Sequence, residues 1–347
     1  MPDLSLQKLV LNAILSLPTP ILRVLAGGGV VFQGGRTLDP RMQYLANLAR
    51  RAQGGAFTPE ALRAASAQAM ALVAGGVELG VRHEPLTIAA PHREVAARAY
   101  RPIGQDPAAP VMVFAHFGGG VIGDLETCHV FCTILAKVAR CAVLSVDYRL
   151  APEHRFPAGL DDMLAAFRWA RDNAASLGGA PSKAAIGGDS MGGAFAAAVA
   201  QELKRAGEPQ PALQLLVYPC VDLASDTQSM TTYANAYPLS RGLMEWFAAQ
   251  YLGPDGDPTD PRASPIRAED LTGLAPAVVV TAGFDPLVDQ GEAYAKRLRD
   301  AGVHVVYRCY DSLAHAFTAF TGAIPAADIA CREIAGLVRE GCQGRIP

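Results

Sequence analysis

Residues 184–193 read Ala184-Ala185-Ile186-Gly187-Gly188-Asp189-Ser190-Met191-Gly192-Gly193, and an alanine-rich stretch follows to residue 200. A short apolar run leads into a Gly-x-Ser-x-Gly turn and then into a helix faced with small residues. Such a turn is so tight that the serine is strained and its flanking positions admit no Cβ. The hydroxyl is pushed into the open at a helix N-terminus, where positive dipole and N–H groups collect. Ser190 is therefore the candidate nucleophile, and it needs partners elsewhere in the chain.

A serine hydroxyl is a weak nucleophile without a general base. In a strand–turn–helix setting of this kind the expected chain order is serine, then acid, then histidine. Only His304 and His315 follow Ser190. His304 falls inside the alternating pattern of the last strand, whereas His315 lies just beyond it, in Asp311-Ser-Leu-Ala-His315-Ala-Phe317. His315 is thus the base. Asp285 follows the apolar run 277–281 directly, ahead of a helix, and is the orienting acid; its other reading is a helix cap, since Pro286 follows. Asp222, Asp289 and Asp311 are weaker candidates. Donors for an oxyanion are expected from the N–H of Met191 and from Gly118-Gly119-Gly120, which follow the strand 111–115 and His116.

The wider pattern agrees. Apolar runs at 111–115, 141–146, 184–187, 213–218, 277–281 and 303–310 alternate with helical patterns near 127–139, 158–175, 191–206, 288–301 and 326–340. This succession predicts a mostly parallel sheet with helices on both faces and reactive residues at the strands' carboxyl ends. An antiparallel hairpin over 82–101, turning at Pro91-His92, precedes it. Residues 1–80 read as helical, with candidates at 4–17, 40–53 and 59–74, the last opened by Thr58-Pro59-Glu60. Nearly sixty residues separate the strands ending at 218 and starting at 277, and a helix over 240–252 is expected there.

Composition narrows the class. Half of the 347 residues are apolar and the net charge is −3, with Lys and Arg dispersed, so a nucleic-acid partner is not expected. Seven irregularly spaced cysteines read as reduced thiols of a cytoplasmic protein. Cys128, His129 and Cys132 lack a second ligand pair, so no zinc site is read there. The apolar run 9–17 has a poor basic flank and is broken by Pro18, Pro20 and Arg23, which argues for an amphipathic helical start rather than a signal peptide or a membrane span.

Taken together, these residues resemble the hormone-sensitive-lipase-like, or microbial family IV, esterases of the α/β-hydrolase superfamily. The likeness covers roughly residues 80–345. It rests on His116 to Asp124, on Asp147-Tyr-Arg-Leu-Ala-Pro-Glu-His-Arg-Phe-Pro157, on the serine turn, on Asp285-Pro-Leu-Val-Asp289 and on His315-Ala-Phe317. The resemblance implies an α/β-hydrolase fold of about eight strands with a helical cap. It divides the chain into a cap part over 1–80, a catalytic domain over 81–218 and 271–347, and a cap insertion over 219–270. It implies a Ser190–Asp285–His315 triad and hydrolysis of short- to medium-chain esters through an acyl-enzyme, with amides, carbamates and lactones as alternatives. A non-catalytic ligand-binding relative is disfavoured by the presence of His315. No metal or organic cofactor is expected, and a homodimer through the last strand is one further expectation. Glu153 and His154 read as structural.

Two departures from the family pattern stand out. The family order is His-Gly-Gly-Gly-aromatic, whereas this chain has His116-Phe117-Gly118-Gly119-Gly120. Gly118 and Gly119 then take the donor positions. If position 117 needs positive φ, Phe117 is strained; if the loop has shifted, Gly119 and Gly120 become the donors. Met191 stands where alanine is usual. Phe117, Gly120 and Asp189 are expected to face the substrate, and Met191 with Phe117 to shape its pocket.

Overall fold

The computed structural model describes residues 4–52, 58–91 and 93–345. The first segment holds α1 (Leu4–Leu15), α2 (Thr19–Leu25), a two-stranded ribbon of β1 (Phe32–Gln33) and β2 (Arg36–Thr37), and α3 (Pro40–Ala52). Next come α4 (Pro59–Val73), β3 (Val81–Ala90), β4 (Arg93–Pro102), β5 (Val111–Ala115), α5 (His129–Ala139), β6 (Val143–Val146) and α6 (Ala158–Asp172). The chain continues through β7 (Ala184–Asp189), α7 (Met191–Arg205), β8 (Gln214–Val217), α8 (Gln228–Thr232) and α9 (Arg241–Leu252). It closes with β9 (Ala277–Phe284), α10 (Val288–Asp300), β10 (Val305–Ala314) and α11 (Pro325–Cys342).

Eight strands form one sheet in the order β10-β9-β8-β7-β5-β6-β4-β3. Pairing is parallel from β10 to β6 and antiparallel at β6–β4 and β4–β3. The central strands are apolar on both sides because both faces are covered. In β5, Val111, Val113 and Ala115 enter one core with α6, α7 and α10, while Met112 and Phe114 enter the other with α5 and α11. The expected strands and helices are present with ends shifted by a few residues. The hairpin pairs Ala90 with Arg93, and His92 at its turn lies outside the described residues.

Some expectations need correction. The last strand runs to Ala314 rather than stopping at residue 310. Its register breaks between Tyr310 and Ala314 and resumes opposite Phe284. There the backbone of Asp311 crosses Gly283 so closely that a Cβ at 283 would sit 2.3 Å from its carbonyl oxygen. His304 lies one residue before this strand and is exposed. Residues 1–80 contain α2 and the β1–β2 ribbon, which the sequence pattern did not reveal, and α1 ends at Leu15, ahead of Pro18. The start of α4 is as read, with Thr58 Oγ1 accepting from Ala61 N at 3.2 Å.

The segment after β8 and the N-terminal elements meet over the sheet's carboxyl ends. Tyr233 donates to Gln33 O at 3.2 Å, and Gln33 Nε2 donates to Thr232 O. Gly34, at φ 58, leaves room for the Tyr233 hydroxyl, which a Cβ would overlap. Arg36 pairs with Asp311 at 2.9 Å and so ties the ribbon to β10.

The tightest approach in the sheet layer is that of α7 to β5. A Cβ on Gly192 would lie 2.1 Å from Ala115 O, and one on Gly188 would lie 2.3 Å from the Gly192 carbonyl. Replacing Gly192 by alanine is expected to cost about 1–3 kcal/mol through overpacking and to lower the urea midpoint accordingly. A midpoint equal to that of the wild type would show that the turn is looser than described.

Candidate active site

Ser190 sits between β7 and α7 with φ 57 and ψ −119. This conformation is costly for a residue with a side chain and survives only where neighbours enforce it. Ser190 N donates to Val217 O at 2.9 Å, and Ser190 O accepts from Ala194 N and Cys220 N, each at 3.1 Å. His315 follows β10 directly, and its Nε2 lies 2.9 Å from Ser190 Oγ. Its Nδ1 lies 2.7 Å from Asp285 Oδ2. Asp285 is wholly buried just after β9, and its other oxygen accepts from Leu287 N at 2.9 Å. A proton on Nδ1, donated to Asp285, leaves Nε2 free to accept from the serine hydroxyl.

The other acids have separate tasks. Asp222 pairs with Arg267 at 2.7 Å, Asp289 accepts from Ser229 N at 2.7 Å, and Asp311 faces Arg36. Asp285 alone among the four candidates reaches the imidazole. Asp285 also closes the turn that leads into α10, while the N-cap of the helix itself is Leu287.

Positive φ falls on Gly118 (131), Gly119 (64) and Gly120 (72), not on Phe117. The aromatic residue therefore carries no backbone strain. Gly118 O accepts from Val121 N and Ile122 N at 3.0 Å, which curls the loop. Among the described residues no protein acceptor is bonded to the N–H of Gly118, Gly119 or Met191, and all three residues line the cavity over Ser190.

Two expected pocket residues lie elsewhere. Gly120 is absent from the cavity wall because the Tyr251 ring of α9 covers it, 2.8 Å from where a Cβ would be. Asp189 is wholly buried and points beneath the turn rather than into the cavity. Its Oδ2 accepts from Thr318 Oγ1 at 2.8 Å and from Tyr218 OH at 2.9 Å, and Cys128 Sγ approaches Oδ1 at 3.4 Å. Phe117 and Met191 do line the cavity. His129 Nδ1 faces Tyr100 OH at 2.9 Å, apart from the Cys128 contact. Among the described residues no group of three or more His, Cys, Asp or Glu is placed to hold a metal ion.

The cavity measures about 1000 Å³. Leu62, Ala69, Met70 and Val73 of α4 form one wall, and Leu243, Met244 and Phe247 of α9 form another. Phe247 stands over Gly119, 2.4 Å from the position of an absent Cβ. Arg63, which sequence reasoning missed, joins α4 to the loops beneath. It donates to Val121 O at 2.9 Å, to Ala151 O at 3.0 Å and to both oxygens of Glu153. Ala151 N in turn donates to Gly120 O at 2.8 Å. The carboxylate partner of Arg63 was singled out in the sequence as Glu153, but no local signal pointed to the arginine.

A serine, an imidazole and a carboxylate in line at the carboxyl ends of a parallel sheet are the arrangement of an α/β hydrolase. Residues 112–319 match the family described as alpha/beta hydrolase fold, and the chain belongs to it, within the hormone-sensitive-lipase-like branch. It is 43% identical over 310 residues to the carboxylic ester hydrolase LipN of Mycobacterium tuberculosis, covering 87% of this chain and 82% of the relative. It is 38% identical to an ethyl acetate hydrolase of Pseudomonas putida, over 67% of this chain and 74% of that one. An ester-hydrolase from the metagenome of Lake Arreo superposes with a TM-score of 0.83 at 40% identity, covering 87% of this chain and 98% of its own.

Two buried groups near the site respond to acid in opposite senses. His116 stacks on Tyr148 at 4.3 Å, its Nδ1 lies 2.7 Å from Phe117 O, and burial lowers its pKa to about 4. The unfolded chain binds that proton near 6.5, so this imidazole costs stability as pH falls from 6.5 to about 4. Burial raises Asp189 to about 6 against the pull of its three hydrogen bonds. The folded state then holds a proton that the unfolded chain has lost, which adds stability as pH falls from about 6 towards 3.8. In His116→Gln the first effect is gone. The wild type should therefore lose urea stability relative to this variant as pH falls from 6.5 to 4, by up to about 1.4 kcal/mol per pH unit. A difference that does not change with pH would rule out a neutral buried imidazole.

Proposed function

We propose that the protein is a serine carboxylesterase acting on short- to medium-chain, apolar acyl esters. The observation that carries this reading is the unbroken chain from Ser190 Oγ through His315 to Asp285 at the floor of an apolar cavity. Ser190 attacks the ester carbonyl while His315 takes its proton, held in the right tautomer by Asp285. The N–H groups of Gly118, Gly119 and Met191 receive the oxyanion, where low local dielectric makes each donor count. His315 returns the proton to the leaving alcohol, then activates water to release the acid from the acyl-enzyme.

Residues 1–80 and 219–270 act as a two-part cap in this reading. Both supply walls to the cavity, and they are joined through Gln33 and Tyr233. All seven cysteines are unpaired, which supports a reducing, cytoplasmic setting. β10 is the outermost strand of the sheet, which supports dimerisation through the part of it that the Asp39 N to Ser312 O bond leaves open.

Hydrolysis of p-nitrophenyl esters of increasing acyl length tests the reading directly. Ser190→Ala is expected to lower kcat by about 10⁴-fold or more, and equal activity in the two proteins would sink the mechanism. Met191→Ala is expected to shift the preferred acyl length towards longer or bulkier chains by enlarging the floor of the cavity. An unchanged length profile would remove Met191 from the specificity argument and leave the mechanism intact.

A further inference from the structure

α1 is apolar on two opposite sides, and only one is covered. Leu11 and Leu15 are buried, and Lys8 Nζ donates to Ala74 O at 2.8 Å just past the end of α4, so the helix is seated on the fold. Leu6, Leu9 and Val10, spaced i, i+3 and i+4, lie on the other side, and Leu9 is 66% exposed. α2 repeats the arrangement, with Leu22 wholly buried and Val24 73% exposed. Phe32 in the β1–β2 ribbon is 69% exposed. Scattered exposed apolar side chains need no explanation, but helices apolar on both faces ask for a second cover.

Charge says what that cover is. Residues 4–52 contain the cations Lys8, Arg23, Arg36, Arg41, Arg50 and Arg51 and a single carboxylate, Asp39, in a chain of net charge −3. Among the described residues, only Arg36 of these cations meets a carboxylate, that of Asp311. Asp39 is engaged at the start of α3, where it accepts from the N–H of Arg41 at 2.7 Å. A second copy docked symmetrically on this surface would set like charges against each other. A phospholipid surface bearing negative headgroups suits the excess of cations in this segment, where Arg23 on α2 meets no carboxylate among the described residues, while the apolar side chains enter the acyl boundary.

We propose that α1, α2 and the β1–β2 ribbon form a docking surface for a bilayer rich in anionic phospholipid. The protein lies on that bilayer without spanning it. No single described helix is long and apolar enough to cross a membrane. α1 and α2 together have the length and composition, but they bend by 119° and each has one face buried in the protein. That geometry suits two helices lying in the interface. α4, against which α1 sits, is also a wall of the cavity above Ser190, so docking brings the cavity close to lipid. Delivery of a lipid-borne ester to Ser190 rests on the esterase reading; the docking itself does not.

Vesicle sedimentation with the full-length Ser190→Ala protein separates the two questions. Vesicles of phosphatidylcholine alone are compared with vesicles that also contain phosphatidylglycerol. The expected result is binding at least tenfold tighter to the anionic vesicles, weakened by added salt. Combined Leu9→Ser, Val24→Ser and Phe32→Ser substitutions, and separately Arg23→Glu, should each reduce that binding, the triple change by at least tenfold. Made in the active protein, these changes should leave hydrolysis of a water-dissolved p-nitrophenyl ester as in the wild type. Equal binding to both vesicle types, binding that the triple variant retains, or a dimer that the triple variant disperses would overturn the proposal.

Discussion

The structure depends on how closely the N-terminus of α7 approaches the end of β5. With hydrogen at Gly192 the helix can rest on Ala115 O, and with hydrogen at Gly188 the turn can close on Gly192. Ser190 is then driven to φ 57, a conformation that costs about 1–3 kcal/mol for such a residue and must be enforced from outside. Three backbone hydrogen bonds to Val217, Ala194 and Cys220 enforce it locally. Asp189 adds a longer-range constraint. Its carboxylate holds Thr318, three residues past His315, and Tyr218, whose ring lies 4.7 Å from the His315 ring. The carboxylate beneath the Ser190 turn therefore also holds the segment carrying the His315 imidazole.

Ser190, Asp285 and His315 could be singled out because each sits at a strand end, where local pattern is strongest. His315 could be separated from His304 because it lies beyond the carboxyl end of the last strand, whereas the sequence pattern puts His304 inside it; β10 in fact leaves His304 just before its start. Asp285 followed from the same rule applied to β9. Asp189 was misplaced because the tight turn sends consecutive side chains to opposite sides, Ser190 up into the cavity and Asp189 down. Its partners Tyr218 and Thr318 are 29 and 129 residues away, a distance over which no spacing pattern reports a contact.

Above the sheet the helices α3, α4 and α9 were legible, but the contacts they make were harder to read for a related reason. β-strands and the helices that cover them announce themselves by period, because one whole face must be apolar. α9 instead lays two rings, Phe247 and Tyr251, against glycines of a loop formed more than a hundred residues earlier. Arg63 works similarly, reaching two backbone carbonyls and one carboxylate across separate loops. α1 was expected to be amphipathic and is apolar on both faces, a distinction that emerges only when one sees which face the fold covers.

The exchange of aromatic and glycine at 117 and 118 gains a physical explanation from the same geometry. Positive φ begins at Gly118, so Phe117 occupies an ordinary backbone position and its ring is free to form cavity wall. The carbonyl of Phe117 is held by the buried His116 imidazole, which is itself stacked on Tyr148 of the Asp147–Pro157 signature. The loop is thus anchored from below by His116 and Tyr148 and closed from above by Phe247 and Tyr251. Arg241, a charged residue on the cavity rim, is neutralised by Asp226 and Glu245. With apolar side chains forming most of the remaining wall, the N–H groups of Gly118, Gly119 and Met191 face a region where little competes for charge and the field of each dipole is weakly screened.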